Sequence, residues 1–184
     1  MTQQRRTNRG PGAAAENRAA LLAAAREVFA ASGFDAPLYA VARAAGVGQA
    51  VLYRHFPDRL ALALAVFEDN MQALEEMVTD ASVTLDDLLR RVADYTVDST
   101  AFIDMLAPVP DDRLLAVEQR MRALIDGKLD AARRSGLIAP DVTVDDVMLA
   151  LTMLSGAMAR VLRADRPQTA DRVLALLDRA WAPR

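Results

Sequence analysis

The chain has 184 residues, 53% hydrophobic and 26% charged, with a formal net charge of −3, so it can bury a real core and still stay soluble. It has no cysteine and one histidine, His55, which excludes disulfides, thiolate metal sites and a cysteine nucleophile and leaves zinc or Ser-His-Asp chemistry a single imidazole. No metal or cofactor and no enzymatic activity are therefore expected, and the remaining acidic residues suit solvated helix faces. Gly and Pro number 8 each and fall mostly between long Ala, Leu, Arg and Asp stretches, which favours helices over strands.

Residues 1–15 lack periodicity and include Gly10-Pro11-Gly12, so they are expected as a flexible arm. By itself that arm reads as an ordinary disordered terminus; its Arg5 and Arg6 become candidate nucleic-acid contacts only beside a motif that binds phosphate. The first helix is expected from Glu16 to Ser32, with Leu21, Leu22, Ala25, Val28 and Phe29 on one face and Gly33 as a left-handed cap. A short helix over Leu38 to Ala45 follows, then Gly46-Val47-Gly48 and another short helix over Gln49 to His55. Asp58 is placed to cap a long fourth helix reaching Thr79.

Beyond it, Thr84 with Asp87 and Thr143 with Asp146 form capping pairs. They head a helix reaching about Ser99, continued by a short one to Leu106, and a helix reaching about Arg163. Between these, Asp111-Asp112 opens a helix to about Arg134 that Ser135-Gly136 closes, and a last helix after Arg166-Pro167 ends near Trp181. The expected fold is all-α: a three-helix unit joined to a bundle of about six helices. No secretory signal is evident, and the most apolar run, Val147 to Ala159, is 13 residues long, short of the roughly 20 that span a bilayer. A cytoplasmic protein with no membrane partner is expected.

Charge is divided unevenly. Through Arg59 there are eight arginines and four carboxylates, a net of +4, whereas the remainder carries −7. A basic N-terminal unit on an acidic body is the distribution expected when one end meets phosphate. Within that basic unit, LYAVARAAGVGQAVLYRHF (38–56) has the parts of a helix-turn-helix. Ala42 allows close helix approach, Gly46 allows positive φ, and Val47 and Leu52 plug the interface. Gln49, Ala50, Tyr53 and Arg54 can then face outward from a second helix too short to stand alone.

The run FAASGFDAPLYAVARAAGVGQAVLYRHFPDR resembles the N-terminal domain of TetR-family (tetracycline-repressor-like) transcriptional regulators. The resemblance covers residues 16–62 and includes the Gly-Phe after helix one, the Val-Ala…Ala-Gly-Val turn core and the Leu-Tyr-x-x-Phe ending. Three hydroxyls common in the family are absent, with Gly48, Val51 and Ala36-Pro37 in their places. The resemblance implies a helix-turn-helix domain over 16–57 and a ligand-binding and dimerisation domain over 58–184, in an Ω-shaped homodimer. It implies that Tyr53 and Arg59 contact the DNA backbone, that Gln49, Ala50 and Arg54 meet bases or adjacent phosphates, and that Tyr39 touches phosphate; His55, at the helix end, is read as a phosphate neighbour or a satisfied surface group. Double-stranded DNA and a small-molecule effector are the implied partners.

In the body, Phe67, Met71, Tyr95, Phe102, Met105, Met121 and Met153 are candidates to line a mostly apolar effector pocket, because methionine adapts to irregular cavities. The last two helices carry small and apolar residues, from which Leu154, Met158, Leu174, Leu177 and Trp181 are taken as a two-fold dimer interface. The expected mechanism is a repressor on a palindromic operator, released by the effector through helix four. The rival is a constitutive or activating DNA-binding regulator without an effector.

Overall fold

A computed structural model describes residues 11–32, 36–106 and 112–183. Among the described residues there are eight α-helices, one 3-10 turn and no strand. The helices are α1 (Pro11–Ser32), α2 (Leu38–Ala44), α3 (Gln49–His55), α4 (Arg59–Val78), α5 (Leu85–Leu106), α6 (Asp112–Arg134), α7 (Val144–Met158) and α8 (Arg166–Trp181). The 3-10 turn, Arg163–Asp165, leads into α8.

Helix starts follow local chemistry. The Asp58 carboxylate accepts from the Ala61 amide at 2.7 Å and opens α4. Thr84 and Asp87 bond reciprocally ahead of α5, and Thr143 and Asp146 form a capping box ahead of α7. These hydrogen bonds, the Thr side chain first, hold the Asp87 and Asp146 carboxyls below their ordinary range. Helix ends are equally local. Gly136 takes φ +70° after α6, with the Gly136 and Leu137 amides bonded back to the Arg133 and Ala132 carbonyls, the paired bonds of a Schellman turn.

Three expectations about the helices need correction. Helix α1 begins at Pro11, so residues 11–15 of the expected arm are helical: proline suits a first helical turn and Ala13 to Ala15 are strong helix formers. Helix α5 is continuous from Leu85 to Leu106 where two helices were expected, because no Gly or Pro interrupts it at Ser99-Thr100. Helix α7 stops at Met158, short of Arg163. There the Arg166 Nε donates to the freed Met158 carbonyl at 3.2 Å and turns the chain into α8. Among the described residues, five α-helices follow the first three in the all-α body, where about six were expected. Arg5, Arg6 and Gly33 lie outside the described residues.

Two apolar cores organise the chain. The first joins Leu21, Leu22, Ala25 and Phe29 of α1 to Val41 and Ala42 of α2, Leu52 of α3, Phe56, and Leu62, Ala63 and Val66 of α4. The second runs from Leu74 at the far end of α4 through Leu88, Ile125, Leu129, Val147, Leu154 and Met158 to Leu174. Helix α5 packs on α7, α8 and α6 and also on α1, so it contacts both parts of the molecule. No helix among the described residues is long and apolar enough to cross a membrane.

Candidate nucleic-acid interface

Helices α2 and α3 have seven residues each, too short to persist alone, so their geometry is imposed by what they pack against. Leu38, Val41 and Ala42 of α2 and the fully buried Leu52 of α3 sit on the α1 side chains of the first core. The turn between them is set at Gly46, with φ +68°. The Gly46 amide bonds to the Arg43 carbonyl at 3.1 Å and the Val47 amide to the Ala42 carbonyl at 3.0 Å, again a Schellman turn. The small residue, the left-handed glycine and the apolar plug expected from the sequence thus act together at one corner.

With Leu52 inward, the outward face of α3 carries Gln49, Ala50, Tyr53 and Arg54, all exposed. Tyr53 is 50% exposed and Tyr39, on α2, is 54% exposed. The Arg54 Nε donates to the Ala50 carbonyl one turn earlier at 3.1 Å, which lays the side chain along the helix. Gly48 begins α3 without a side-chain cap, as its missing hydroxyl requires. His55 is half-buried and its ring tilts at 42° against Phe56, 6.1 Å between centroids. Arg18 covers the other aromatic contact of this corner, 5.8 Å over the Phe56 ring. Arg43, exposed on α2, adds a cation to this surface that no motif position singled out; the local arginine excess was its only signal.

Arg59, expected as a backbone contact, is the first residue of α4. It is half-buried, its Nη1 donates to the Ala36 carbonyl at 2.7 Å, and its guanidinium lies 5.7 Å over the Phe29 ring. The side chain therefore ties the start of α4 to the segment that leads into α2.

Two turns of α4 are gripped from two sides. Arg26 of α1 reaches Asp69 at 2.5 Å and the buried Asn70 at 3.0 Å. Arg120 of α6 makes bonds of 2.7–2.8 Å to both Glu68 and Glu75. The hydrogen bond from Arg120 pulls the Glu75 carboxyl below its ordinary range, and the two carboxylates in turn raise the Arg120 guanidinium. Between Val66 of the first core and Leu74 of the second, α4 is thus held by ion pairs on both flanks.

In the body, the residues expected to line a pocket divide between the cores. Phe67 packs half-buried on the first core, and Tyr95 and Met121 pack on the second. Met71 is 2% exposed. The side chains of Phe102 and Met105 lie outside the described residues. Met153 is 62% exposed and does not point inward, because it falls on the outer stripe of α7 with Leu149. The dimer expectation is corrected in the same way. Leu154 and Met158 are fully buried and Leu174 nearly so, since they form the inward stripes of α7 and α8 and belong to the second core. Leu177 and Trp181 are half-buried against that core. The apolar side chains that α7, α8 and their connection leave in solvent are Leu149, Met153, Leu162 and Leu176. Among the described residues no group of three His, Asp or Glu is placed to hold a metal ion.

Residues 21–66 match the family model of bacterial regulatory proteins, tetR family. Solved structures similar over nearly the whole chain include a TetR transcriptional regulator from Streptomyces coelicolor, 31% identical, covering 90% of this chain and 98% of its own, with a TM-score of 0.70. A TetR regulatory protein from Mycobacterium vanbaalenii is 27% identical, covers 93% of this chain and 98% of its own, and has a TM-score of 0.63. A structure described as a gamma-butyrolactone receptor shares the fold at 22% identity and a TM-score of 0.62, over 93% of this chain and 90% of its own. No curated protein sequence matches.

Proposed function

Because the chain belongs to the tetR family of bacterial regulatory proteins and is a transcriptional regulator of that family, we propose that it is a cytoplasmic repressor. It binds a palindromic operator as a homodimer and leaves it when a small, mostly apolar effector binds. The observation that carries this reading is the α2–α3 corner. Leu52 is fully buried while Gln49, Ala50, Tyr53 and Arg54 stand exposed on a helix fixed from behind, the presentation that major-groove reading requires.

Residues 16–57 form the reading head and residues 58–184 the ligand-binding and dimerisation body, with α4 running from one into the other. Leu149, Met153 and Leu176 supply the apolar face of the dimer. One short helix reads few base pairs, so two copies on half-sites about 34–36 Å apart give the selectivity a regulator needs. The effector occupies the body beside α4, near Met71 and Met121. It releases DNA by preferring a body conformation that misplaces the two heads, and linkage then requires operator to weaken effector binding by the same factor.

The test is a titration of purified protein against the DNA upstream of its own gene across salt concentrations. Saturable binding of two protomers, or a multiple of two, to a palindromic segment with a steep salt slope supports the reading. Weak binding blind to sequence rejects it.

A further inference from the structure

We propose that Arg54 is a specificity-determining residue that reads guanine, one per half-site and at mirrored positions; this deepens the operator-binding reading above and rests on it. Arg54 and Ala50 lie one turn apart on the exposed face of α3, and the Arg54 Nε donates to the Ala50 carbonyl at 3.1 Å. Side chains on a helix already lean toward its N-terminus, and this bond fixes that lean. It brings the guanidinium to the level of Ala50, in the first turn of the helix. In a docked helix-turn-helix the N-terminal residues of the recognition helix approach base edges, while surrounding elements meet the phosphates.

The donor chemistry then selects the base. With Nε engaged, the fork presents the N–H groups of its two terminal nitrogens side by side. In the major groove only guanine offers two adjacent acceptors, O6 and N7. Adenine sets a donor beside its acceptor, thymine a methyl, and cytosine offers a donor. The short Ala50 side chain leaves the guanidinium room to lie there. Two other arginines of this corner are otherwise placed: Arg18 lies over Phe56, and Arg59 bonds to Ala36.

The experiment selects operators from a randomised duplex library with the wild-type protein, then scans single base-pair changes against wild type, Arg54→Ala and Arg54→Lys. Circular dichroism confirms that each variant keeps its helix content, as substitution of an exposed side chain should allow. For wild type, one mirrored G·C pair should carry a penalty of about 5- to 150-fold on replacement. In Arg54→Ala that penalty disappears while the penalties at other positions and the salt slope persist. Arg54→Lys keeps the charge but not the fork, and should keep only part of the discrimination.

The proposal is overturned if Arg54→Ala weakens every sequence by one factor and lowers the salt slope by about one to two, the signature of lost phosphate contacts. It is also overturned if wild type selects a palindrome with no mirrored guanine preference. Failure of wild type to select any sequence would instead overturn the operator-binding reading itself.

Discussion

Arg59, the first residue of α4, donates to the carbonyl of Ala36 at 2.7 Å while its guanidinium covers the ring of Phe29. Phe29 is 1% exposed and belongs to the core behind α2 and α3. One cation thus joins three parts of the reading head: the end of α1, the segment entering α2, and the start of α4. A residue in this position is expected to act on DNA affinity through the placing of α2.

Arg59→Ala should lower stability by roughly 1–3 kcal/mol, from the lost charged hydrogen bond and ring contact. It should weaken operator binding while leaving the salt slope near the wild-type value. Arg59→Lys, which keeps the charge without the planar fork, should fall between. Thermal melts paired with binding titrations at several salt concentrations check this; a slope reduced in Arg59→Ala and kept in Arg59→Lys would make Arg59 a phosphate contact.

Gly46 and Gly136 both hold φ near +70°, and a Cβ on either meets nothing within 4 Å. Replacing either with alanine should therefore cost about 1–2 kcal/mol for conformational reasons alone. Only Gly46→Ala should also reduce DNA binding, because only that turn aims α3. Equal losses of operator affinity in the two variants would contradict the comparison.

Outer and inner stripes of α7 should separate assembly from folding. Met153→Glu, on the exposed stripe, should yield a folded monomer by sedimentation with a melting temperature close to that of an isolated protomer. Leu154→Ala, one residue later and fully buried, should instead destabilise by about 2–5 kcal/mol through the cavity it leaves. A dimer that survives Met153→Glu unchanged would place the interface elsewhere.

Acid should loosen the helix starts. The Asp87 and Asp146 carboxyls are held below their ordinary value of 3.8 by Thr84 and Thr143, and Glu75 below its 4.5 by Arg120. Lowered carboxyls contribute stability that is full above those ordinary values and is lost as pH falls through the depressed ones. Asp146→Asn should therefore be less stable than wild type at neutral pH, with the difference shrinking below about pH 4. Urea midpoints measured from pH 7 down to pH 3 would show it; a difference constant with pH would remove Asp146 from the account.

What the sequence disclosed was set by chemistry that acts over a few residues. The Asp58 cap, the two Thr-Asp pairs and the Gly46 turn depend on spacing of three or four positions, and each stands where its spacing places it. The reading head was legible for the same reason, since Ala42, Gly46, Val47 and Leu52 make one local corner. The faces of α7 and α8 were not. Both helices carry apolar residues on two stripes, and only packing on α5 and α6 decides that Leu154, Met158 and Leu174 turn inward and Met153 outward. The contacts of Arg59 within the fold were not legible, because its partners, Ala36 and Phe29, are fixed by the fold and not by spacing.

The sharing of α4 between two cores bears on how the chain can be cut. Leu62, Ala63 and Val66 are each fully buried in the first core, yet all three follow Pro57 in sequence. A fragment ending at Pro57 would keep both helices of the DNA-reading motif but leave the floor beneath them open to water. Extending it through Val78 would close that floor and bare Leu74, which is otherwise 2% exposed. Each half of the molecule thus withholds part of the other's interior, so the two should melt in one cooperative transition, and an excised reading head should need a replacement partner to stay folded.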